Sequence, residues 1–168
     1  MFFKPSPDGI FIAQNFFPHE RHSMDIPTMI QTARTCARLH ALPEALVCAV
    51  CEHESGGWNP WAARYEAAFF KRYIHPAHPD TPTTEEIDAA ESFGLMQLMG
   101  CTARELGFKG KYFTQLCDPA IGIEFGCRKL AKCVANHPGD VRAALLAYNG
   151  GGNLTYPDLV LPLIGKYQ

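Results

Sequence analysis

Apolar residues recur at helical spacing along most of the chain. One stripe follows Pro43 and is formed by Leu46, Val47, Val50 and Cys51. A second stripe follows Asp118 and is formed by Ile123, Cys127, Leu130 and Val134. This periodicity predicts a mainly helical fold.

Capping residues and helix breakers predict where the helices begin and end. An aspartate before a proline or an apolar run marks a helix start, and glycines stop a helix. These signals predict helices over 25 to about 42, 43–55, 118 to about 136 and 140–149.

The middle of the chain breaks the helical pattern. The run WAARYEAAFFKRYI fits a short helix or a strand, and the prolines of HPAHPDTPTT predict a loop. We therefore expect a loop-rich insert that could hold a small hairpin.

A chain of 168 residues is most simply one domain. We assign that domain to residues 24–168, and residues 1–23 to an N-terminal extension.

The net charge and the lack of long apolar runs argue against nucleic acid and a membrane span as partners. The net charge is −2, whereas binding to phosphate backbones requires clustered lysine and arginine, so we expect no nucleic acid. No stretch approaches the roughly 18 apolar residues of a membrane span. The aromatic start, MFFKPSPDGIFIAQNFF, lacks the continuous apolar core of a signal peptide. We expect a monomer that is made in the cytoplasm.

Seven cysteines raise the question of metal or disulfide chemistry. Cys48 and Cys51 form a CxxC pair, but both lie in an apolar helical pattern, and free cysteine packs like a small hydrophobic residue. No second CxxC or HxxxH completes a tetrahedral site. We predict structural cysteines and no metal or cofactor, with a metal site or a disulfide as the alternative.

The stretch CEHESGGWNP holds two glutamates on different faces of the predicted second helix. Glu54 continues the apolar stripe, at i+3 from Cys51 and i+4 from Val50, whereas Glu52 falls toward the polar side. Partial burial raises the pKa of a carboxyl group, and a carboxyl group that is protonated near neutral pH can act as a general acid. Glu54 is therefore the candidate catalytic acid.

Four segments stand in order along the chain: ESGGWNP (54–60), FGLMQLM (93–99), DPAIGIEFGCRKL (118–130) and LLAYNGGG (145–152). They resemble the motifs of the lytic transglycosylase family with a goose-type lysozyme-like fold. The similarity covers about residues 25–156. The AARYE segment and the long insert are similar to bacteriophage versions, which suggests an endolysin or a virion-associated lysin.

The resemblance implies an enzyme that cleaves peptidoglycan glycan strands. Its members cut the β-1,4 bond between N-acetylmuramic acid and N-acetylglucosamine, and Glu54 matches their acid. The same group would then deprotonate the muramic 6-hydroxyl, which closes a 1,6-anhydro ring. Such an enzyme would act on the cell wall after release from the cytoplasm or from a virion.

The other motif positions supply the remaining candidate site residues. The predicted substrate-binding residues are Ser55, Met96, Gln97, Tyr148 and Asn149. For Ser55 the alternative role, of equal weight, is a hydrogen bond from its hydroxyl to the backbone of its own helix. Glu66 and Glu91 are candidates for a second carboxylate, which would make the enzyme a hydrolysing goose-type muramidase. A non-catalytic glycan-binding virion module is a further alternative.

Overall fold

The computed structural model describes residues 24–77 and 82–168, so the predicted N-terminal extension lies outside the described residues. In chain order the α-helices are α1 (Ile26–Leu39), α2 (Glu44–Glu54), α3 (Ala67–Phe69), α4 (Thr84–Ala89), α5 (Gly100–Glu105), α6 (Pro119–Asn136), α7 (Val141–Tyr148) and α8 (Tyr156–Val160). The strands are β1 (Ala63–Tyr65), β2 (Glu91–Phe93) and β3 (Leu98–Met99). A π-helix covers Phe70–Ile74, and 3₁₀-helices cover His75–Ala77, Phe113–Cys117 and Leu161–Tyr167.

The predicted mainly helical fold is confirmed, and aspartate side chains cap three of the four predicted helices. Asp25 accepts a hydrogen bond from the Thr28 amide, Asp118 from two amides of α6, and Asp140 from the Ala143 amide. The first helix ends at Leu39 rather than at about residue 42. It stops there because Ala41 adopts a left-handed backbone conformation, with φ of 52°.

Helix α2 lies at the centre of the core. Its residues 46–51 are all buried, so the helix is covered on every side rather than on one stripe. Helices α1 and α8 and the C-terminal 3₁₀-helix pack against it, and α1 also packs on α6. The predicted α6 stripe contributes Ile123, Cys127 and Leu130 to the same core, while Val134 is partly buried beside it.

The insert holds a small antiparallel sheet, as the sequence allowed, with strand order β1-β2-β3. Arg64 lies directly opposite Ser92, and Ser92 lies opposite Met99. Residues directly opposite one another in antiparallel strands project from the same face. The sheet therefore presents Arg64, Ser92 and Met99 together.

All seven cysteines are free thiols, and five of them are buried. Cys48 and Cys51 are fully buried in the central helix, which matches the expected structural role. The residues that the structure describes contain no cluster of three or more potential metal ligands. None of the helices in the described part of the chain is long and apolar enough to cross a membrane.

Candidate active site

A pocket of about 730 Å³ opens where the end of α2 meets the sheet, the middle of α6 and the end of α7. One face of the sheet lines this pocket, through Arg64, Ser92 and Met99. Acidic, basic, amide and aromatic groups thus converge on one concavity, and convergent polar groups in a pocket mark a candidate ligand site.

Glu54, the last residue of α2, lines this pocket. The Tyr156 hydroxyl donates a hydrogen bond to Oε1 of Glu54 over 2.6 Å. Burial raises the pKa of Glu54, and the Tyr156 bond together with the charges of His53, Lys129 and Arg64 opposes that rise in part. The net upward direction is the one that a general acid requires.

Glu52 lies on a different side of α2. It accepts hydrogen bonds from the Tyr167 hydroxyl and the Lys166 ammonium group, both on the C-terminal 3₁₀-helix. These partners lower its pKa against the opposing effect of burial, so Glu52 stays ionised. The sequence correctly placed it away from the apolar stripe, but its environment is a partly covered ion pair rather than open solvent.

Ser55 caps the turn after the acid. Its hydroxyl donates to the Cys51 carbonyl over 2.6 Å and accepts from the Trp58 amide over 2.8 Å. The side chain is buried and is not among the residues that line the pocket. Of the two roles considered for Ser55, the structure shows the backbone contact.

Trp58 completes the turn in a left-handed conformation, with φ of 71°. A non-glycine residue adopts this conformation at an energetic cost, so the surroundings must hold it there. The indole Nε1 of Trp58 donates to the Tyr167 hydroxyl over 2.8 Å, and Tyr167 in turn donates to Glu52. The C-terminal 3₁₀-helix therefore fixes the turn that follows Glu54.

Gln97 lines the pocket, but its amide is already bonded within the chain. Its Nε2 donates to the carbonyls of Ala62 and Gly94 over 2.9 and 3.0 Å, and its Oε1 accepts from the Ser92 hydroxyl over 3.2 Å. Gln97 also has a left-handed backbone, with φ of 43°. These bonds hold the β2–β3 turn against β1.

Met96 lies in the core rather than among the residues that line the pocket. It fills the space above Gly126 on α6, where a Cβ would come within 2.3 Å of the Met96 sulfur atom. The methionine that lines the pocket is Met99.

Tyr148 and Asn149 both line the pocket at the end of α7. The Tyr148 hydroxyl donates to the Met96 carbonyl over 2.7 Å, so it is already bonded within the chain. The hydroxyl that bonds the acid belongs to Tyr156, which was not among the predicted site residues. The one available signal was a tyrosine beside a proline at a helix start.

Lys129 is a second pocket residue that the sequence reasoning missed. Its ammonium group lies 4.6 Å from the centroid of the Tyr148 ring, a cation–π contact. Burial lowers the pKa of Lys129, and the nearby Glu54 charge opposes this shift. The signal available in the sequence was the position of this lysine within the DPAIGIEFGCRKL segment.

The two candidate second carboxylates have different positions. Glu66 lines the pocket and accepts a hydrogen bond from Nε of Arg64 over 2.6 Å. Glu91 is partly buried and is not among the lining residues; burial and the charge of Asp88 raise its pKa. Only Glu66 shares the concavity with Glu54.

The profile of the "Transglycosylase SLT domain" family matches residues 31–156 of the chain, which is more than half of it. The chain belongs to this family. Membership agrees with the predicted lysozyme-like helical fold, and the match includes all four motif segments.

A "Transglycosylase" of Enterobacteria phage PRD1 is 44% identical to the chain over 62 residues. The match covers 37% of this chain and 21% of the relative, so the chain spans about a fifth of that protein's length. No solved structure matches.

Proposed function

We propose that the chain is a peptidoglycan lytic transglycosylase that cleaves the β-1,4 bond between N-acetylmuramic acid and N-acetylglucosamine. The observation that carries this proposal is the Glu54 carboxyl group, which is desolvated in the pocket and held by the Tyr156 hydroxyl. Family membership and the phage relative support a wall-degrading role for a phage or prophage.

The reaction needs one carboxyl group that acts twice. Protonated Glu54 gives its proton to the glycosidic oxygen as the bond from that oxygen to the muramic anomeric carbon breaks. The resulting carboxylate takes the proton from the muramic 6-hydroxyl, whose oxygen bonds to the anomeric carbon. Glu54 is protonated again, and no water is consumed. The 6-hydroxyl is already attached to the ring, so it needs no separate positioning.

A hydrolysing muramidase is the second candidate, because Glu66 lies in the same pocket. An inverting or retaining glycosidase needs a second carboxylate to activate water or to attack the sugar. Glu66 is also ion-paired with Arg64 at 2.6 Å, which occupies one of its oxygens. The transglycosylase reaction remains the first candidate, because it needs only Glu54 and because the matching family is a transglycosylase domain.

The test is digestion of purified peptidoglycan in ¹⁸O-water, followed by mass spectrometry of the muropeptides. Anhydro ends without ¹⁸O are the expected products. Reducing ends that carry ¹⁸O would assign the enzyme to the hydrolases, and Glu66→Gln would then be expected to abolish activity. Absence of any cleavage, with soluble folded protein, would favour a glycan-binding module.

A further inference from the structure

The insert places an aromatic pair in the pocket. Phe69 and Tyr73 both line it, and their ring centroids lie 4.9 Å apart at an interplanar angle of 46°. Tyr73 keeps 58% of its surface exposed. Large aromatic surface facing a pocket is an expected feature of a ligand site.

The local backbone explains how the pair is presented. Phe69 ends α3, and the π-helix Phe70–Ile74 follows it directly. Residues four apart lie on the same side of a helix, so Phe69 and Tyr73 project together. Single π-turns occur often at functional sites, where they re-aim side chains.

The neighbouring aromatic residue, Phe70, packs against other side chains and does not line the pocket. Its ring packs at 5.9 Å against Tyr65 of β1 and at 5.8 Å against His75. The contact with Tyr65 attaches the π-helix to the sheet, while Phe69 and Tyr73 line the pocket. The helical segment that carries the aromatic pair is therefore anchored to β1.

The polar groups beside the pair suggest which ligand it takes. The ion-paired Arg64 and Glu66 line the same pocket and offer both donors and acceptors. A pyranose ring has an apolar face of C–H groups and a rim of hydroxyls. The positive C–H edge suits the negative face of an aromatic ring, and the rim suits a charged pair.

We propose that Phe69 and Tyr73 form a stacking platform for an N-acetylhexosamine ring of the glycan strand. The proposal rests on the proposed function, because it takes the same strand as the ligand. The ring on the platform would belong to a sugar beside the cleaved bond, with Arg64 and Glu66 bonding its hydroxyls. The insert would thereby add a sugar-binding subsite to the pocket.

The test uses the full chain carrying Glu54→Gln, so that the ligand is not consumed. A β-1,4-linked N-acetylglucosamine tetramer is titrated by calorimetry. Tyr73→Ala should weaken binding by about five- to tenfold, and Phe69→Ala should weaken it less, while Tyr73→Phe should stay within about twofold of the parent. Tyr112→Ala is the matched control, because Tyr112 is 59% exposed and does not line the pocket.

Three results would overturn the platform. They are no binding of the tetramer by the parent, equal binding by Tyr73→Ala, or loss that appears only with ligands carrying a peptide stem. In the last case the aromatic pair binds peptide instead of sugar. Circular dichroism on each variant confirms the fold.

Activity assays separate this proposal from the proposed function. With Glu54 intact, Tyr73→Ala should raise KM for peptidoglycan with little change in kcat, since stacking acts alike in the ground and transition states. Cleavage with an unchanged KM would refute the platform and leave the function standing. Tetramer binding through Tyr73 without cleavage products would refute the function and leave the platform standing.

Discussion

The hydroxyl of Tyr156 donates a 2.6 Å hydrogen bond to Oε1 of Glu54, although 102 residues separate the two in sequence. The donor stabilises the carboxylate and so limits the rise in pKa that burial causes. It also fixes the direction in which the carboxyl group points. Tyr156 of α8 thus acts on both the protonation and the orientation of Glu54.

Tyr156→Phe should lower turnover by about tenfold, since a hydrogen bond to a charged group contributes roughly 1.5–3 kcal/mol. It should also shift the alkaline limb of the pH–activity profile upward, because the pKa of Glu54 rises further without this donor. The measurement is the initial rate on purified peptidoglycan from pH 4 to 9.

Tyr148→Phe is the matched control for that experiment. It strands the Met96 carbonyl, so stability should fall by about 1–3 kcal/mol while the alkaline limb stays in place. An upward shift in Tyr148→Phe, with none in Tyr156→Phe, would show that the two hydroxyls have been assigned to the wrong roles.

Lys129→Met should move the alkaline limb of activity to higher pH. The positive charge of Lys129 lowers the pKa of Glu54, so its removal leaves the acid protonated over a wider range. Lys129→Arg should keep the limb near the parent position, because it keeps the charge. Lys132→Met, an exposed change on the same helix, should leave the profile unchanged; a shift there would point to a general charge effect.

Glu54→Gln should stabilise the fold at neutral pH while it abolishes activity. Since the folded-state pKa of Glu54 lies above its ordinary value of 4.5, the parent loses stability as pH rises from that value through the raised pKa. Glutamine has no ionisable group, so the variant does not lose stability in this way. The Tm difference between variant and parent should therefore grow with pH and then level off; a difference that shrinks would contradict the burial of Glu54.

Glu52→Gln should retain most activity. Its carboxylate accepts bonds from Tyr167 and Lys166 and does not line the pocket. Loss of the ion pair should cost about 1 kcal/mol or less, since Lys166 is largely exposed. Urea unfolding and the peptidoglycan assay check both statements, and an inactive but folded variant would reverse the assignment of the two glutamates.

Gln97→Ala should lower stability by about 1–3 kcal/mol, because it breaks the bonds to Ala62, Gly94 and Ser92. Activity should fall with it, since the sheet face that lines the pocket loses its support. Denaturant unfolding measures the first effect. Full stability combined with lost activity would instead indicate a direct contact between Gln97 and the substrate.

Much of the fold could be predicted from local signals. Aspartate caps, helix-stopping glycines and apolar spacing predicted the four longest helices of the described residues, and the stripe that contains Val50 and Cys51 placed Glu54 toward the interior. These features depend on residues three or four positions apart. Periodicity reports such short-range relations directly.

The contacts within the site could not be predicted in the same way. The Tyr156 bond and the approach of Lys129 to Tyr148 join residues on different helices, and no spacing rule reports such pairs. The roles of Gln97 and Ser55 also depended on which backbone groups lay within reach. A motif indicates which residue types matter, whereas packing decides which partner each one takes.

The close approach of Gly126 to Met96 restricts how this gene can exchange parts with its relatives. A side chain at position 126 would collide with the methionine, which belongs to a different motif segment. A recombinant that inherits a bulkier residue on α6 would therefore need a shorter one at position 96 from the same donor. Among viable mosaic genes, crossovers between the two segments should therefore be rare wherever the parents differ in side-chain size at these two positions.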